Sequence, residues 1–239
     1  MKKIIIPGLV IVLIGLLGSC EFDELKEPTN VSLDVALVGE KTIGEDLKST
    51  SNSGKMNING GNLIITEIEM EGKRADAEDY YFDHSFDEML VGDLTHDKLN
   101  QNVNFNIPQG NYDRLKLRLH VNKTDTSEGL VLKGKYSGLS GGEKDVKLGF
   151  YNHPEAIDIN VEPQQGKDQV MFRKNENTTI EIQLNLQQIF RYFNPGVLNS
   201  AEITDTDEGK KIIISEQHNT KIYYNLISRI EKSTRAVIK

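Results

Sequence analysis

The stretch VNFNIPQGNYDRLKLRLHV, residues 103–121, decides the fold class of this chain. In its second half, aliphatic residues alternate with polar ones, which places the two sets on opposite faces of an extended strand. A helix would scatter both sets around its circumference. The turn sequence at 108–111 separates this strand from a shorter alternating run at 103–107. The pattern predicts two antiparallel strands with one apolar and one solvated face. The apolar positions are Leu115, Leu117, Leu119 and Val121.

Short runs of the same kind occur on both sides of this stretch. They are separated by Gly, Asn and Asp turns, and no amphipathic helix lies between them, which excludes βαβ units. Residues 40–61 are rich in small and polar residues and predict a long loop with at most one short strand. The further predicted strands are 31–38, 63–70, 80–86, 88–94, 130–136, 146–151, 156–161, 169–172, 178–186 and 211–215.

The last fifty residues predict helices. Residues 186–193 form a short helix that ends near the Asn-Pro-Gly sequence at 194–196. From Asn219, apolar residues recur with helical spacing, and Asn219 is the expected N-cap. This amphipathic helix either caps an open edge of the sheet or docks a partner, and we prefer the cap. The predicted fold is mostly β: an antiparallel β-sandwich of prealbumin or Ig-like type over 31–190, with a short C-terminal α-helical appendix in 191–239.

The first nineteen residues predict a leader peptide. Lys2 and Lys3 precede an apolar run at 4–17 that is too short to span a bilayer as a stable helix. The sequence Leu-Gly-Ser-Cys at 17–20 resembles the lipobox of bacterial lipoproteins. The resemblance implies cleavage between Ser19 and Cys20, and attachment of lipid to the Cys20 thiol. A cysteine that carries two or three acyl chains is a stable membrane anchor.

Cys20 is the single cysteine of the chain. The mature protein therefore has no disulfide, no cysteine-bound metal and no thiol nucleophile. Residues 20–30 form an acidic tether, in which Glu21, Asp23 and Glu24 follow the anchor. This tether resembles the export signal of Bacteroidota lipoproteins that face the cell exterior. We expect an outer-membrane location facing the exterior, with the periplasmic face as the alternative; the charges also suit a solvated spacer.

The chain is acidic. Its formal net charge is −8, and removal of the leader with its two lysines makes it −10. This balance excludes a nucleic-acid partner, because no basic surface would neutralise phosphates. Beyond residue 17, no segment approaches the eighteen apolar residues of a membrane span.

The strand at 61–72 and the Ile-Pro-Gln-Gly-Asn-Tyr turn at 107–112 are similar to those of Bacteroidota lipoproteins that carry a prealbumin-like β-sandwich of unknown function. The similarity covers about residues 31–190. It implies a fold and a compartment, and it carries no catalytic residue over to this chain.

Catalytic motifs are missing from the sequence. It has no Gly-x-Ser-x-Gly elbow and no visible Ser–His pairing. With 36 acidic residues, a carboxylate pair of the glycosidase type stays open. We therefore expect no enzyme and no cofactor, with a hydrolase as the least favoured alternative.

Metal ligands are also scattered. None of the five histidines pairs at zinc-motif spacing, although His84 and His96 have acidic neighbours. We expect solvated loop histidines and no metal site. The acidic sequence at 205–209 resembles a calcium loop but lacks the bidentate glutamate, so it predicts an acidic turn before a strand. The other histidines are His120, His153 and His218, and the acidic neighbours are Asp83, Asp87, Asp93 and Asp97.

Aromatic and basic side chains are the remaining candidates for ligand binding. The rings at Tyr80, Tyr81, Phe82 and Phe86 are expected to place at least one face in the core, since sugar platforms rely on tryptophan and this chain has none. Tyr112 is expected to pack inward while its hydroxyl ties the turn. The basic row of β-strand 112–121 is expected to pair with acids on neighbouring strands, with an anionic-ligand face as the alternative. This row is Arg114, Lys116 and Arg118.

The leading functional hypothesis is a non-catalytic binding or accessory module, anchored in the membrane by the lipid on Cys20 and presenting loops to a protein or glycan ligand. The alternative is a structural or adhesive, pilus-like subunit in which strand 31–38 is exchanged. No Lys or Arg lies between Lys26 and Lys41 to invite the processing that such exchange needs. The oligomeric state is left open by these residues.

Overall fold

The computed structural model describes residues 27–44, 54–121, 128–138, 141–150 and 156–239. The predicted leader, Cys20 and the predicted export signal (Glu21, Asp23 and Glu24) lie outside these ranges, as does the predicted cleavage residue Ser19. Within the described residues, no helix is long and apolar enough to cross a membrane.

The described residues are mostly β, as predicted. The strands are β1 (Pro28–Val38), β2 (Thr42–Ile43), β3 (Lys55–Arg74), β4 (Tyr80–Asp93), β5 (Lys98–Leu99), β6 (Val103–Pro108), β7 (Gly110–Val121), β8 (Leu130–Ser137), β9 (Glu143–Phe150), β10 (Ala156–Glu162), β11 (Val170–Phe172), β12 (Thr178–Asn185), β13 (Thr204–Thr206), β14 (Gly209–Ile214) and β15 (Thr234–Ile238). The helices are α1 (Leu186–Ile189), a 3₁₀ helix (Pro195–Ser200) and α2 (Thr220–Ser233).

These strands form one large mixed sheet. The hydrogen-bonded order is β13-β14-β9-β8-β3-β7-β10-β15-β12-β1-β6. The expectation of a purely antiparallel sheet is wrong, because β1 runs parallel to β12, β10 to β15 and β14 to β9. Alternation in the sequence reports which face of a strand is buried, and carries no signal for the direction of a partner that lies far away in the chain.

Strand β3 joins the part of the sheet that contains β8 and β9 to the part that contains β7 and β10. Its first half pairs with β8, and its second half lies between β4 and β7. A bulge between Ile65 and Glu67 shifts the register with both neighbours. The strand begins at Lys55, inside the predicted loop, and β4 is one continuous strand where two were predicted.

The stretch that decided the fold behaves as predicted. In β7 the four aliphatic side chains are buried, and the polar residues between them reach the other face. They belong to a core cluster that also includes the apolar faces of β1, β3, β10 and β12. The Tyr112 prediction is confirmed, since its ring is buried and its hydroxyl donates a 2.6 Å hydrogen bond to the Pro108 carbonyl. This bond closes the turn between β6 and β7.

The C-terminal segment is more than an appendix. Helix α2 forms where predicted and buries Tyr223, Leu226 and Ile230. The chain then continues into β15, which lies inside the sheet between β10 and β12. The expected α-helical appendix is therefore corrected: α2 is a crossover that leads the last strand into the sheet, and the short strand after it carried too few residues for a periodicity signal.

Candidate ligand-binding groove

A groove of about 870 Å³ lies between the 3₁₀-helix segment and the first turns of α2. Small-molecule sites commonly occupy about 300–1,000 Å³, so the groove is large enough for a ligand of several rings. Its wall on one side comes from the residues that follow α1, and on the other side from α2 and the turn before it. Among its lining residues are Tyr192, Asn194, Gln217, Lys221, Asn225 and Arg229.

Asn219 holds the two walls together. Its side-chain amide donates to the carbonyls of Glu202 (3.1 Å) and Ile213 (2.7 Å), and its oxygen accepts from the Glu202 amide (2.9 Å). The predicted N-cap role of Asn219 is wrong in its chemistry, because its side chain makes no capping bond to α2 and its backbone is left-handed, with φ 51°. Asn219 instead fixes the segment before β13 to the end of β14.

Tyr192 is displayed at the rim of the groove. Its backbone has φ 63°, a region that bulky residues rarely adopt and that costs roughly 1–3 kcal/mol. The side chain is 85% exposed, and the guanidinium of Arg191 lies 5.0 Å from the ring centroid. Tyr192 lies two residues after the C-cap of α1, and glycine is the residue that adopts this backbone conformation without strain. A strained backbone therefore presents an aromatic ring to solvent.

Polar groups inside the groove are open to a ligand. Within the described residues, the side chains of Gln217, Lys221 and Asn225 make no hydrogen bond or ion pair. Arg229 donates through Nη1 to the Arg191 carbonyl, which leaves its other donors facing the groove. Each side-chain amide offers both donors and an acceptor. The arrangement suits a ligand with several hydroxyl groups.

The aromatic candidates on β4 divide between two faces, as predicted. Tyr80, Phe82 and Phe86 are half-buried against the core, and the Tyr80 hydroxyl donates to the Asn106 carbonyl at 3.1 Å. Desolvation raises the pKa of Tyr80. Tyr81 lies on the opposite face and is 62% exposed. The prediction that at least one face belongs to the core is confirmed.

The predicted basic row lies on what we call the charged face of the sheet, and its pairing with acids is confirmed. Arg114 pairs with Glu71 at 2.8 Å, and Lys116 with Asp158 at 2.8 Å. Arg118 donates two hydrogen bonds to Asp158, at 2.6 and 3.2 Å. These bonds lower the pKa of Asp158 to about 2. The charged face consists of Glu67, Glu69 and Glu71 on β3, Arg114, Lys116, Arg118 and His120 on β7, and Asp158 on β10.

The histidines with acidic neighbours do not form a metal set in the described part of the chain. His96 pairs with Asp93 at 2.7 Å in an exposed turn, and this hydrogen bond is the main cause of the lowered pKa of Asp93, about 2. Asp97 accepts from the Leu37 amide at 2.9 Å, and the His84 ring stacks on Phe82 and meets Phe86 edge to face. The neighbours Asp83 and Asp87 lie on β4 with His84.

The remaining sequence candidates have structural positions. His218 lies in the turn before α2, where its carbonyl accepts from the Ser215 amide at 2.8 Å, and His153 is outside the described residues. The acidic sequence at 205–209 forms the turn between β13 and β14, which confirms the prediction of an acidic turn before a strand. Within the described chain, no histidine ring bonds to a serine hydroxyl.

The groove has no clear signal in the sequence. The Arg-Tyr-Phe-Asn-Pro-Gly run at 191–196 predicts only the end of a helix. No sequence pattern predicts a tyrosine with a left-handed backbone, and the residues that line the groove lie on two separate segments, 192–202 and 217–229. The Asn-Pro-Gly turn was the one available signal that the chain would leave the helix there.

Comparisons of the chain with protein-family models, with curated proteins and with solved structures find no match in any of the three. The prealbumin-like resemblance therefore stays a prediction.

Proposed function

We propose that this protein is a lipid-anchored envelope lipoprotein with a non-catalytic binding module, and that the module holds a glycan chain in the groove beside α2. The observation that carries the proposal is Tyr192, a ring held 85% exposed by a left-handed backbone at the rim of the groove. An exposed ring supplies a flat apolar surface for the face of a sugar. Strain of this kind clusters at functional sites.

The groove chemistry favours a glycan over a peptide. Sugar hydroxyls both donate and accept hydrogen bonds, and the amides of Gln217 and Asn225 match them in kind. A peptide strand would be recognised by a sheet edge or by a row of apolar pockets. The groove instead combines two aromatic rings, Tyr192 and Phe193, with polar amides and cations.

The first strand argues against the pilus-like alternative. β1 lies inside the sheet, parallel to β12 and antiparallel to β6. Its residues Val31, Leu33, Val35 and Leu37 are part of the core. Loss of β1 would expose these side chains and both neighbouring strands, so exchange would need an equally apolar replacement.

The finer fold type is part of the proposal. The core cluster supports a prealbumin-like sandwich, because the buried side chains of β7 and β10 belong to the same cluster as those of β1 and β12. All four strands lie in the same hydrogen-bonded order. Parallel pairs among these strands distinguish the arrangement from a simple antiparallel sandwich. The charged face would then be an outer surface.

The proposed ligand is tested with the full-length lipidated protein in detergent, applied to arrays of oligosaccharides and of peptides. Tyr192→Ala should weaken glycan binding by roughly tenfold or more, since ring contacts contribute about 1–3 kcal/mol to stacked ligands. Tyr224→Ala is the matched control, because Tyr224 is also exposed (59%) and lies on α2 outside the groove lining. Binding to peptides alone, or equal losses in both variants, would overturn the proposal.

The proposed anchor is tested in cells. Cys20→Ala should release the protein from the membrane fraction and abolish lipid labelling, because the thiol is the acceptor of the lipid. Retention of the variant on membranes would contradict the lipoprotein proposal. Protease added to intact cells should degrade the folded part if it faces the exterior, and full protection would place it in the periplasm.

A further inference from the structure

Three metal-ligating side chains converge on the charged face, away from the groove. Glu67, Glu69 and His120 each offer one ligand atom, and these atoms lie within 4.8 Å of one another. All three residues are half-buried, with side-chain exposures of 23% for Glu69 and 17% for His120. Within the described residues, this is the one such group of three or more. We propose that it binds a divalent metal ion of the zinc class.

The strands position these ligands. Glu67 and His120 are opposite each other across the β3–β7 ladder, and Glu69 follows two residues later on the same face of β3. The bulge between Ile65 and Glu67 sets this register, and the Thr66 hydroxyl donates to the His120 carbonyl at 3.1 Å. Bulges often re-aim side chains at functional sites. The ligands therefore stand on interior strands of the sheet and not on a loop.

The local charge balance favours a dication. Glu67 makes no ion pair or side-chain hydrogen bond in the described part of the chain. Arg118 lies 3.6 Å from Glu69, but its two hydrogen bonds go to Asp158. Arg118 is thus shared between Glu69 and Asp158, and Glu67 has no cationic partner among the described residues. A divalent ion would balance the charge on Glu67 and the part of the Glu69 charge that Arg118 leaves.

The ligand chemistry selects the class of metal. One imidazole nitrogen and two carboxylate oxygens suit zinc and similar borderline ions, whereas calcium and magnesium prefer oxygen ligands alone. His120 Nε2 lies 2.6 Å from Glu69 Oε1, and metal binding would replace this hydrogen bond by one bond from each atom to the ion. Glutamate terminal torsions are broad, so the carboxylates can close to the ~2.0–2.2 Å zinc–oxygen distance. Three protein ligands leave a position for water or an external ligand.

The probe for this site is zinc alone, titrated into the full-length, chelator-stripped protein in detergent and followed by calorimetry and native mass spectrometry. We expect one zinc per chain, a rise in melting temperature, and a loss of roughly tenfold or more in affinity in Glu67→Gln and in His120→Ala. Glu67→Gln keeps the shape of the side chain and carries the test if His120→Ala fails to fold.

His96→Ala is the matched control. His96 also bonds to a carboxylate at 2.7 Å, but no third ligand joins that pair in the described residues. Its zinc affinity should equal that of the wild type. Absence of zinc binding to the wild type, or equal binding by the wild type and Glu67→Gln, would overturn the proposal. Cobalt substitution should further give a visible spectrum that disappears in Glu67→Gln.

Discussion

The charged face and the groove are both rich in polar side chains, but the two regions differ in whether these side chains have partners within the protein. On the charged face, regular strands bring opposite charges into register, and Arg114, Lys116 and Arg118 all find acids. In the groove, Gln217 in the turn before α2 and Lys221 and Asn225 on α2 make no side-chain hydrogen bond or ion pair among the described residues. The comparison teaches that cross-strand register pairs most charges within the sheet, whereas a helix that faces an irregular segment has no such register and leaves polar groups open to an external partner.

The largest expected effect on stability is in the sheet. Leu117→Ala removes a fully buried side chain from the middle of β7 and should lower the free energy of unfolding by about 2–5 kcal/mol. Val197→Ala truncates a 42% exposed residue of the groove lining and should change the free energy of unfolding by only about 0.5 kcal/mol. Urea unfolding of both variants gives the two values. Equal losses would show that the groove is as tightly packed as the sheet.

Two tyrosine-to-phenylalanine substitutions compare the sheet with the groove by removing a single hydroxyl group from each. Tyr112→Phe leaves a ring packed against Phe172 but removes the bond to the Pro108 carbonyl, and should cost about 1–2 kcal/mol. Tyr192→Phe should leave the unfolding free energy unchanged, since its hydroxyl bonds to no described residue. The measurement is again urea unfolding. A loss of similar size in Tyr192→Phe would indicate that Tyr192 is a structural residue.

The sequence predicted what depends on neighbours along one strand. The alternation in 112–121 located β7, its buried face and its basic row, and the turn at 108–111 located the Tyr112 bond. It could not predict the parallel pairing of β1 with β12, because the direction of a distant partner leaves no local pattern. For the same reason the sequence did not bring Glu67 and Glu69 to His120, since that contact depends on the register of β3 against β7.

The groove escaped prediction for a different physical reason. Its geometry follows from left-handed backbones at Tyr192 and Asn219; tyrosine rarely adopts this conformation, and asparagine, although enriched in it, adopts it at only a minority of its positions. The sequence predicts a helix cap at Asn219, yet tertiary hydrogen bonds to Glu202 and Ile213 displace the local cap. Local rules fail where distant contacts compete for the same side chain.

Lowering the pH should cause a smaller loss of stability, which arises at Asp158 on the charged face. Asp158 has its pKa lowered to about 2 by Arg118, against an unfolded value of about 3.9. Its contribution is therefore present above about pH 4 and is lost as the pH falls toward about 2. Because the side chain is 35% exposed, screening reduces the contribution to about 0.5–1 kcal/mol.

The measurement is the difference in unfolding free energy between wild type and Asp158→Asn at pH 5 and at pH 2.5. The difference should shrink at the lower pH, because pH 2.5 lies below the unfolded pKa of Asp158, so the unfolded state gains a proton that the folded carboxylate binds only weakly. Asp205→Asn is the control, since Asp205 is exposed and lies 4.0 Å from Lys210. A difference that stays constant with pH would show that Asp158 stabilises the sheet by packing and not by charge.

The smallest expected effect on stability is at Tyr192, at the rim of the groove. The substitution distinguishes a role of this ring in ligand binding from a role in packing. Tyr192→Gly relieves the left-handed strain, while glycine adds about 0.5–1 kcal/mol of unfolded-state entropy, so the unfolding free energy should stay within about 0.5 kcal/mol of wild type. Glycan binding should nevertheless fall by roughly tenfold or more, because the ring is gone. Thermal melts and array binding of the same sample measure both. A marked loss of stability would mean that the ring holds the fold together; unchanged binding would mean that the strain at Tyr192 serves no ligand.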